Sequence, residues 1–378
     1  MVKAIYAFSG DPITYGHMDI VERASKAFDE VIVGIGVNPK KNYMFTLAER
    51  TEMANKALGK YLNVTVDSFE GLLVSYAYEK KIGVIVKGVR GPTDVEYESL
   101  LHQIGETQKL GIDTHVLFAR PHLTHVSSSN VKAIQSEHGL IHEFVPLDVK
   151  QRLEERISKQ YVLGVTGEIG AGKSYVSKKL VELGTTKGIE VHNIELDHIG
   201  HQIITDLKEP RYITVREEIM QTFGPETRNS DGSINRKMLG ELIFNNTDAR
   251  EKLNKIMGKP LLVRYQKELY RKEGLILLNA ALIAETGMSY LCNNNVALVN
   301  VSKDVQRERL EGRGHSPEQI ERRIVCQHSY LQKRDCFVDA IKKDNHGQIF
   351  EFDNSNKGND DEIDDMLENI ISQFGMGT

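Results

Sequence analysis

The sequence contains no tryptophan and only three cysteines among its 378 residues. Cys292, Cys326 and Cys336 lie far apart, without the spacing of a metal site or a disulfide framework. This usage favours a reducing compartment, so we expect a cytoplasmic protein. The longest apolar run, near Leu275 to Ala284, is interrupted by Asn279 and is too short to span a bilayer. The strand-like KAIYAF near the N-terminus does not resemble a secretory leader, and we expect no membrane partner.

The chain also lacks a block of basic residues. Its 48 lysines and arginines are outnumbered by 53 aspartates and glutamates, which gives a formal net charge of −5. A nucleic-acid partner is therefore not expected. Hydrophobic residues make up 40% of the chain and charged residues 27%, as in ordinary globular proteins, and the length predicts two domains.

A glycine-rich motif lies in the middle of the chain. Residues Gly167 to Ser174 fit the pattern G-x-x-x-x-G-K-[ST]. An apolar run at Tyr161 to Val165 precedes them, and a helical pattern follows, which is the context of a phosphate-binding loop. Lys173 is expected to reach the β- and γ-phosphates of ATP, and Ser174 to bind Mg²⁺. The ATP-binding residues predicted here are Gly167, Gly170, Ala171, Gly172, Lys173, Ser174 and Tyr175.

The residues before this motif alternate between apolar strands and amphipathic helices. This alternation predicts a parallel, doubly wound α/β sheet, and the second half repeats the pattern, so we expect two such domains. Ligands of such sheets bind beyond the carboxyl ends of the strands. Cations and hydroxyl groups follow those ends in the first half, as a polyphosphate site requires. They are Ser9, His17, Lys40, Lys41, Lys87, Arg90 and Ser127 to Ser129.

Four separated motifs carry a family resemblance in the first half. The stretch Ser9 to His17 resembles the T-x-G-H motif of the nucleotidyltransferase superfamily. Lys87 to Arg90, Asp94 to Glu98 and Ser127 to Lys132 resemble bacterial-type phosphopantetheine adenylyltransferase, and the resemblance runs over roughly residues 1–157. It implies a Rossmann-like domain that transfers AMP from ATP to 4′-phosphopantetheine, giving dephospho-CoA and pyrophosphate.

The resemblance also implies roles for individual residues. His17 and Lys41 would be catalytic, and Lys41 would hold the attacking phosphate. ATP would contact Ser9, Gly10, His17, Lys87, Gly88, Arg90, Glu98, Ser127, Ser128 and Ser129. Pantetheine would contact Ser9, Lys41, Leu73 and Lys87. Two departures are a lysine at position 87, where the family has an arginine, and Ala7-Phe8, where it commonly has Pro-Gly.

The second half, from about Tyr161 to Gly375, resembles dephospho-coenzyme A kinase. Glu195-x-Asp197 stands where that family has D-x-D, and Gln306-x-x-Arg309-x-x-x-Arg313 resembles a second family motif. The resemblance implies that Glu195 accepts the proton of the ribose 3′-hydroxyl, with Asp197 as the alternative. Arg309 and Arg313, expected on one helix, would be lid residues that stabilise the transferring phosphoryl group.

Two positions depart from the pattern of the kinase family. Glu168 puts a negative charge in the phosphate loop, where the family usually has glycine. Lys259-Pro260 stands in the place of the His-Pro pair that the family has. Both departures bear on the efficiency of the kinase reaction.

The two resemblances form one hypothesis, because the product of the first activity is the substrate of the second. Residues 1–158 would be the adenylyltransferase domain and residues 159–378 the kinase domain. The partners would be ATP, 4′-phosphopantetheine, dephospho-CoA, CoA and further copies of the chain, since relatives of the first half form hexamers. Alternatives are a nicotinamide mononucleotide-type transferase fused to a nucleoside or metabolite kinase, and a P-loop GTPase switch. For the GTPase alternative, Asp197 to Gly200 fits the D-x-x-G motif. However, Asn254 to Met257 lacks the aspartate of the guanine-reading N-K-x-D motif.

Overall fold

The chain folds into two compact units, Met1–Leu153 and Glu154–Thr378. The computed structural model describes residues 1–244, 246–356 and 358–376. Thr378, at which the predicted second domain ends, lies outside the described residues. Each unit holds one five-stranded, all-parallel sheet flanked by helices, so the predicted fold class is confirmed. A domain boundary at 158/159 stays a prediction from the sequence.

The first unit alternates strands and helices in the order expected. Its elements are β1 (Lys3–Phe8), α1 (Tyr15–Ala27), β2 (Glu30–Gly36), α2 (Leu47–Leu58), β3 (Val64–Phe69), α3 (Leu73–Glu79), β4 (Val84–Val89), α4 (Pro92–Glu106), β5 (Asp113–Phe118), α5 (Ser128–Ser136) and α6 (Leu147–Leu153).

The strand order of the first sheet is β3-β2-β1-β4-β5. Strands β1, β2 and β4 are apolar and largely buried, whereas the edge strand β5 is mostly exposed. The chain moves outward from β1 to β3 and then returns to place β4 on the other side of β1. This reversal opens a crevice between the carboxyl ends of β1 and β4, where doubly wound sheets bind their ligands.

The second unit contains more helix between its strands. Its elements are β6 (Gln160–Gly167), α7 (Lys173–Thr186), β7 (Val191–Glu195), α8 (Leu196–Thr205), α9 (Pro210–Phe223), α10 (Arg236–Phe244), α11 (Thr247–Leu269), β8 (Gly274–Asn279), β9 (Asn295–Asn300), α12 (Lys303–Glu311), α13 (Pro317–Val325), α14 (Tyr330–Asp344), β10 (Gln348–Asp353) and α15 (Asp360–Phe374).

The strand order of the second sheet is β10-β9-β6-β8-β7, with β6 at its centre. Strands β8 and β9 are almost wholly buried, as their continuous apolar sequences predict for central parallel strands. Helices α7 and α15 pack together over one face, where Val176, Leu180 and Ile370 join the core. The glycine-rich loop therefore emerges from the most enclosed strand of this unit.

Two local features differ from the sequence-based expectations. The spacing of Val149, Leu153 and Ile157 predicts one amphipathic helix over 148–159, but α6 ends at Leu153 and the chain continues as a π-helical turn over Glu154–Ser158. Helix α12 ends at Glu311, so Arg313 lies in the turn that follows rather than on the helix with Arg309. A glycine at position 312 and another at position 314, with φ of +81°, favour this early end.

Helix α11 spans 23 residues and carries the Lys259-Pro260 pair in its interior. Pro260 is buried, whereas Lys259 is exposed. Charged residues are spread around this helix. Over the residues that the structure describes, neither α11 nor any other helix has the length and apolar character needed to cross a membrane.

Candidate active sites

A cavity of about 710 Å³ lies at the crevice between β1 and β4. Twelve of the thirteen residues predicted for a site in the first half line it, although they come from five separate stretches of the chain, and Lys40 is not among the lining residues. The twelve are Ser9, Gly10, His17, Lys41, Leu73, Lys87, Gly88, Arg90, Glu98, Ser127, Ser128 and Ser129. The parallel topology explains this, because the segments that follow β1, β2, β4 and β5 meet at one edge of the sheet.

His17 is held at the start of α1 by the residue that caps this helix. The backbone N–H of Thr14 donates to His17 Nδ1 over 3.1 Å, and Thr14 Oγ1 lies 3.0 Å from the same nitrogen. Because Nδ1 accepts a hydrogen bond from an amide, the neutral imidazole carries its proton on Nε2. His17 therefore offers one N–H donor to a ligand in the cavity.

Phe8, at the end of β1, fixes the plane of the same imidazole. The two rings stack with centroids 4.3 Å apart and an interplanar angle of 7°. Gly10 leaves room for this arrangement, since a Cβ added there would lie 3.3 Å from the Phe8 ring. Burial, with smaller contributions from Arg90 and Lys41, lowers the pKa of His17 to about 4. The imidazole is therefore neutral at physiological pH.

The cations of the cavity are held by oxygen atoms of the protein. Lys87 Nζ lies 2.8 Å from Glu98 Oε2, and both side chains are mostly buried. Arg90 makes a two-point contact with Asp94, at 2.9 and 3.3 Å. Lys41 Nζ donates to Ser9 Oγ over 3.3 Å. A phosphate that binds Lys87 or Arg90 would share these groups with a carboxylate.

The three serines at the start of α5 have different partners. Ser127 caps the helix by accepting a hydrogen bond from Asn130 N at 3.2 Å. Ser128 Oγ donates to the carbonyl of Pro12 over 2.8 Å, which ties α5 to the loop after β1. Ser129 lines the cavity with them. The amino end of α5 therefore faces the cavity, where its dipole favours an anion.

Two buried charged residues that the sequence did not single out brace this site. Asp11 receives hydrogen bonds from Lys132 Nζ at 2.7 Å and from the amides of Met44 and Phe45 at 3.2 and 3.0 Å. Burial acts to raise the pKa of Asp11, but these donors outweigh it and hold that pKa below its usual range. Arg50 donates to the carbonyls of Ser9 and Gly36, which links the ends of β1 and β2. The partners of Asp11 lie 33 to 121 positions away along the chain, and Arg50 is 41 positions from Ser9, so local patterns do not reveal these contacts.

In the second unit the glycine-rich loop runs from the end of β6 into α7. Gly170 and Gly172 have φ of +80° and +93°, a region in which glycine is favoured. A Cβ on Gly172 would lie 2.2 Å from Asn354 Nδ2, so the loop could not keep its shape with a side chain there. The loop curls around Lys173, whose ammonium donates to the carbonyls of Gly167 and Glu168 over 3.2 and 3.3 Å.

Lys173 and Asp197 form the charged centre of the second site. Burial lowers the pKa of Lys173 to about 8, and the Asp197 carboxylate is the strongest influence in the opposite direction. Burial raises the pKa of Asp197, while Lys173 acts to lower it. Glu195 ends β7 and accepts a hydrogen bond from Asn193 over 3.1 Å. Of the two acids, Asp197 is therefore the one coupled to the lysine of the loop.

A fully buried lysine, Lys333 of α14, supports this centre. Its ammonium donates to the carbonyl of Ala281 over 2.7 Å and pairs with Glu285. The N–H of Ala281 in turn donates to Asp197 Oδ2 over 3.3 Å. Lys333 thus holds the turn after β8 that positions Asp197. No sequence motif pointed to Lys333, because none of the motifs given above lies in α14.

The remaining predicted residues of this site occupy distinct environments. Arg309 donates to the carbonyls of Ala171 over 3.1 Å and Asn354 over 2.7 Å, so it braces the outer side of the loop. Arg313 is exposed, and its charge acts on Lys173. Tyr175 turns its hydroxyl to Asp360 of α15, at 2.6 Å. Ser174 is exposed in the first turn of α7.

Comparison with known proteins gives a separate result for each half. Residues 9–134 match the family model described as cytidylyltransferase-like, and residues 161–350 match that of dephospho-CoA kinase. A phosphopantetheine adenylyltransferase from Clostridium perfringens is 41% identical over 158 residues, which cover 42% of this chain and 96% of that protein. One from Clostridium kluyveri is 42% identical over 161 residues, covering 43% and 98%.

Among solved structures, a dephospho-CoA kinase from Campylobacter jejuni aligns with 58% of this chain and 98% of its own, at 21% identity. Its TM-score of 0.33 is too low for the superposition to carry an argument.

The environment of His17 leads to a prediction about pH. The unfolded chain takes up a proton on this imidazole near pH 6.5, the folded chain only near pH 4. The free energy of unfolding should therefore fall as pH drops from 6.5 to 4. An NMR titration should find the His17 signal, assigned with His17→Gln, titrating near pH 4. Lys41→Ala should raise this pKa and the neighbouring Lys40→Ala should leave it unchanged. A His17 pKa of 6.5 or above would contradict the analysis.

Proposed function

Because the chain belongs to the phosphopantetheine adenylyltransferase family by its first half and to the dephospho-CoA kinase family by its second, we propose that it catalyses the last two steps of coenzyme A synthesis. In the first step, AMP is transferred from ATP to 4′-phosphopantetheine, and pyrophosphate leaves. In the second, the ribose 3′-hydroxyl of dephospho-CoA takes the γ-phosphoryl group of ATP. The observation that carries the proposal is the near full-length match to adenylyltransferases alongside the match of residues 161–350 to the kinase family. The cytoplasmic location stays a prediction.

In the proposed first step, a phosphate oxygen of 4′-phosphopantetheine attacks the α-phosphorus of ATP. A phosphate is already a nucleophile, so positioning and charge stabilisation suffice. The Nε2–H of His17 would donate to the α-phosphate as negative charge accumulates there. Since this imidazole stays neutral above about pH 4, it would donate a hydrogen bond without giving up its proton.

The two substrates would share the cations of the cavity. Lys41, whose contact in this structure is a hydroxyl group rather than a carboxylate, would hold the attacking phosphate together with Ser9. Arg90 and the amino end of α5 would bind the ATP phosphates. Lys87, next to Glu98, would contact both ATP and 4′-phosphopantetheine. Leu73 would line the part of the cavity that holds the pantetheine.

In the proposed second step, the loop amides and Lys173 would bind the β- and γ-phosphates. The adjacent Asp197 would accept the proton of the 3′-hydroxyl. Two observations favour Asp197 over Glu195: its coupling to Lys173 and the raised pKa that burial gives it, which suits a proton acceptor. Arg313, whose charge reaches Lys173, would stabilise the transferring phosphoryl group.

Magnesium would accompany ATP at this second site. Mg²⁺ prefers oxygen ligands and binds mostly through water and substrate phosphates, so one or two protein oxygens are enough. The exposed hydroxyl of Ser174, in the first turn of α7 beside Lys173, fits this requirement. Bound there, the ion would neutralise charge on the phosphates. Over the described residues, no cluster of three His, Cys, Asp or Glu side chains offers a dedicated cage.

The whole proposal can be tested by product analysis. The purified chain, incubated with 4′-phosphopantetheine, ATP and Mg²⁺, should form CoA, identified by mass spectrometry. His17→Ala should stop adenylyl transfer and leave phosphorylation of added dephospho-CoA intact. Lys173→Ala should have the opposite effect, because each variant removes a group from one unit.

Two outcomes would contradict the proposed function. Accumulation of dephospho-CoA without CoA in the wild type would remove the kinase activity from the proposal. Adenylylation of nicotinamide mononucleotide in preference to 4′-phosphopantetheine would assign the first unit to a different transferase.

The choice between the two acids gives a separate prediction. Asp197→Asn should lower kcat for phosphorylation of dephospho-CoA by at least about 100-fold, the usual contribution of general base catalysis. Glu195→Gln is the matched control and should change kcat by less than about tenfold, since Asp197 is the carboxylate that acts most strongly on Lys173. Adenylyl transfer by the same proteins shows that the chain is folded. A larger loss of kcat in Glu195→Gln than in Asp197→Asn would instead make Glu195 the proton acceptor.

We further propose that the chain forms a homo-oligomer through the first unit. None of the residues of α4 is buried, and Tyr97, Leu100 and Ile104 are exposed along it. His102 of α4 contacts Thr114 of the edge strand β5 over 3.0 Å, which places α4 beside this strand. Phe118 extends the apolar surface at the end of β5. Exposed apolar surfaces of this kind commonly mark interfaces; the number of subunits, six by family analogy, is part of the proposal.

Light scattering coupled to size-exclusion chromatography tests this interface. The wild type should elute as an oligomer, and Leu100→Glu should shift it toward the monomer, because a charge would be buried in the interface. Leu62→Glu is the matched control, since Leu62 is a fully exposed leucine of the same unit that lies outside this surface. A monomeric wild type, or equal effects of both variants, would contradict the proposal.

A further inference from the structure

Helix α12 contacts the phosphate loop through three side chains spaced along one face. Lys303 Nζ lies 2.9 and 3.1 Å from the two carboxylate oxygens of Glu168. Gln306 Nε2 donates to the carbonyl of Ile169 over 2.7 Å, and Arg309 donates to the carbonyl of Ala171 over 3.1 Å. Residues at i, i+3 and i+6 of the helix thus hold successive parts of the loop.

The approach of α12 depends on glycine in the loop. A Cβ on Gly170 would lie 3.3 Å from the Gln306 side chain and backbone and from the Leu310 side chain. Gln327 completes the arrangement by accepting a hydrogen bond from Ile169 N over 3.1 Å. The loop therefore has little freedom on the side that faces α12.

Glu168 is the member of this set that does not fit a phosphate-binding loop. Its carboxylate is buried, only 7% of the side chain being exposed, and it belongs to a residue whose own carbonyl contacts the Lys173 ammonium. An unpaired carboxylate at this position would repel the ATP phosphates by Coulomb interaction. Burial without a partner would also be unfavourable for the loop itself.

We propose that Lys303 is a positioning residue for the kinase step. Its ammonium neutralises Glu168 and draws the carboxylate toward α12, so that the loop presents its amides and Lys173 to ATP without a competing negative charge. The assignment rests on the proposed kinase function of the second unit. It also accounts for how a chain with glutamate at this loop position keeps a phosphate site: the glutamate and the lysine act as one neutral unit.

The inference is tested by steady-state kinetics of the full chain with added dephospho-CoA as the acceptor. Lys303→Met should raise KM for ATP roughly tenfold, which corresponds to ~1.4 kcal/mol, with a smaller change in kcat. Glu168→Gly in the same chain should restore KM, because it removes the carboxylate that Lys303 neutralises. A lysine that supported α12 independently of Glu168 would not be rescued by this second change. Lys303→Arg should retain a low KM.

Arg307→Met is the matched control, because Arg307 is a cation of the same helix that pairs with Glu321 of α13 instead of the loop. It should leave KM for ATP unchanged, and adenylyl transfer by each variant reports an intact chain. An unchanged KM in Lys303→Met, or a defect that persists in the double variant, would overturn the assignment of Lys303. A wild type that phosphorylates no dephospho-CoA would instead defeat the proposed function.

Discussion

Parallel strands all end at one edge of a sheet, and both candidate sites depend on this constraint. In the first unit it brings together segments that follow β1, β2, β4 and β5, so that His17, Lys41 and Arg90 line one cavity. In the second it places the glycine-rich loop after β6 next to the ends of β7 and β8, where Asp197 and Ala281 lie. The same architecture thus provides two anion-binding sites from unrelated loops.

Burial at these edges lowers the pKa of two basic side chains, but it leaves one of them neutral and the other charged. It lowers the pKa of His17 to about 4, so the imidazole is neutral and serves as a hydrogen-bond donor. It lowers the pKa of Lys173 only to about 8, partly because Asp197 acts against it, so this ammonium remains mostly charged near neutral pH. In the proposed reactions a neutral donor suits the α-phosphate that is attacked, whereas a cation suits the β- and γ-phosphates, between which the bond breaks when the γ-phosphoryl group is transferred and ADP leaves.

Charge compensation is the second theme that both units share. Lys87 pairs with Glu98, Arg90 with Asp94 and Lys303 with Glu168, each at 2.8 to 2.9 Å. In each pair the carboxylate fixes the position of the cation beside it and also lowers the net attraction of that cation for phosphate. The number of positive charges alone therefore does not measure how strongly either candidate site attracts phosphate.

The sequence alone determined the features that are encoded locally. The phosphate loop from Gly167 to Ser174 lies within eight consecutive residues, and the apolar runs of β1, β6 and β8 predict buried parallel strands, so fold class and the first site's lining could be predicted. The partners of individual side chains could not. Glu168 and Lys303 are 135 positions apart and Asp11 and Lys132 are 121 apart, and the Phe8–His17 stack needs the packing of β1 against α1. Only the tertiary structure decided these contacts, because short-range patterns carry no information about which distant charge a fold brings within hydrogen-bonding distance.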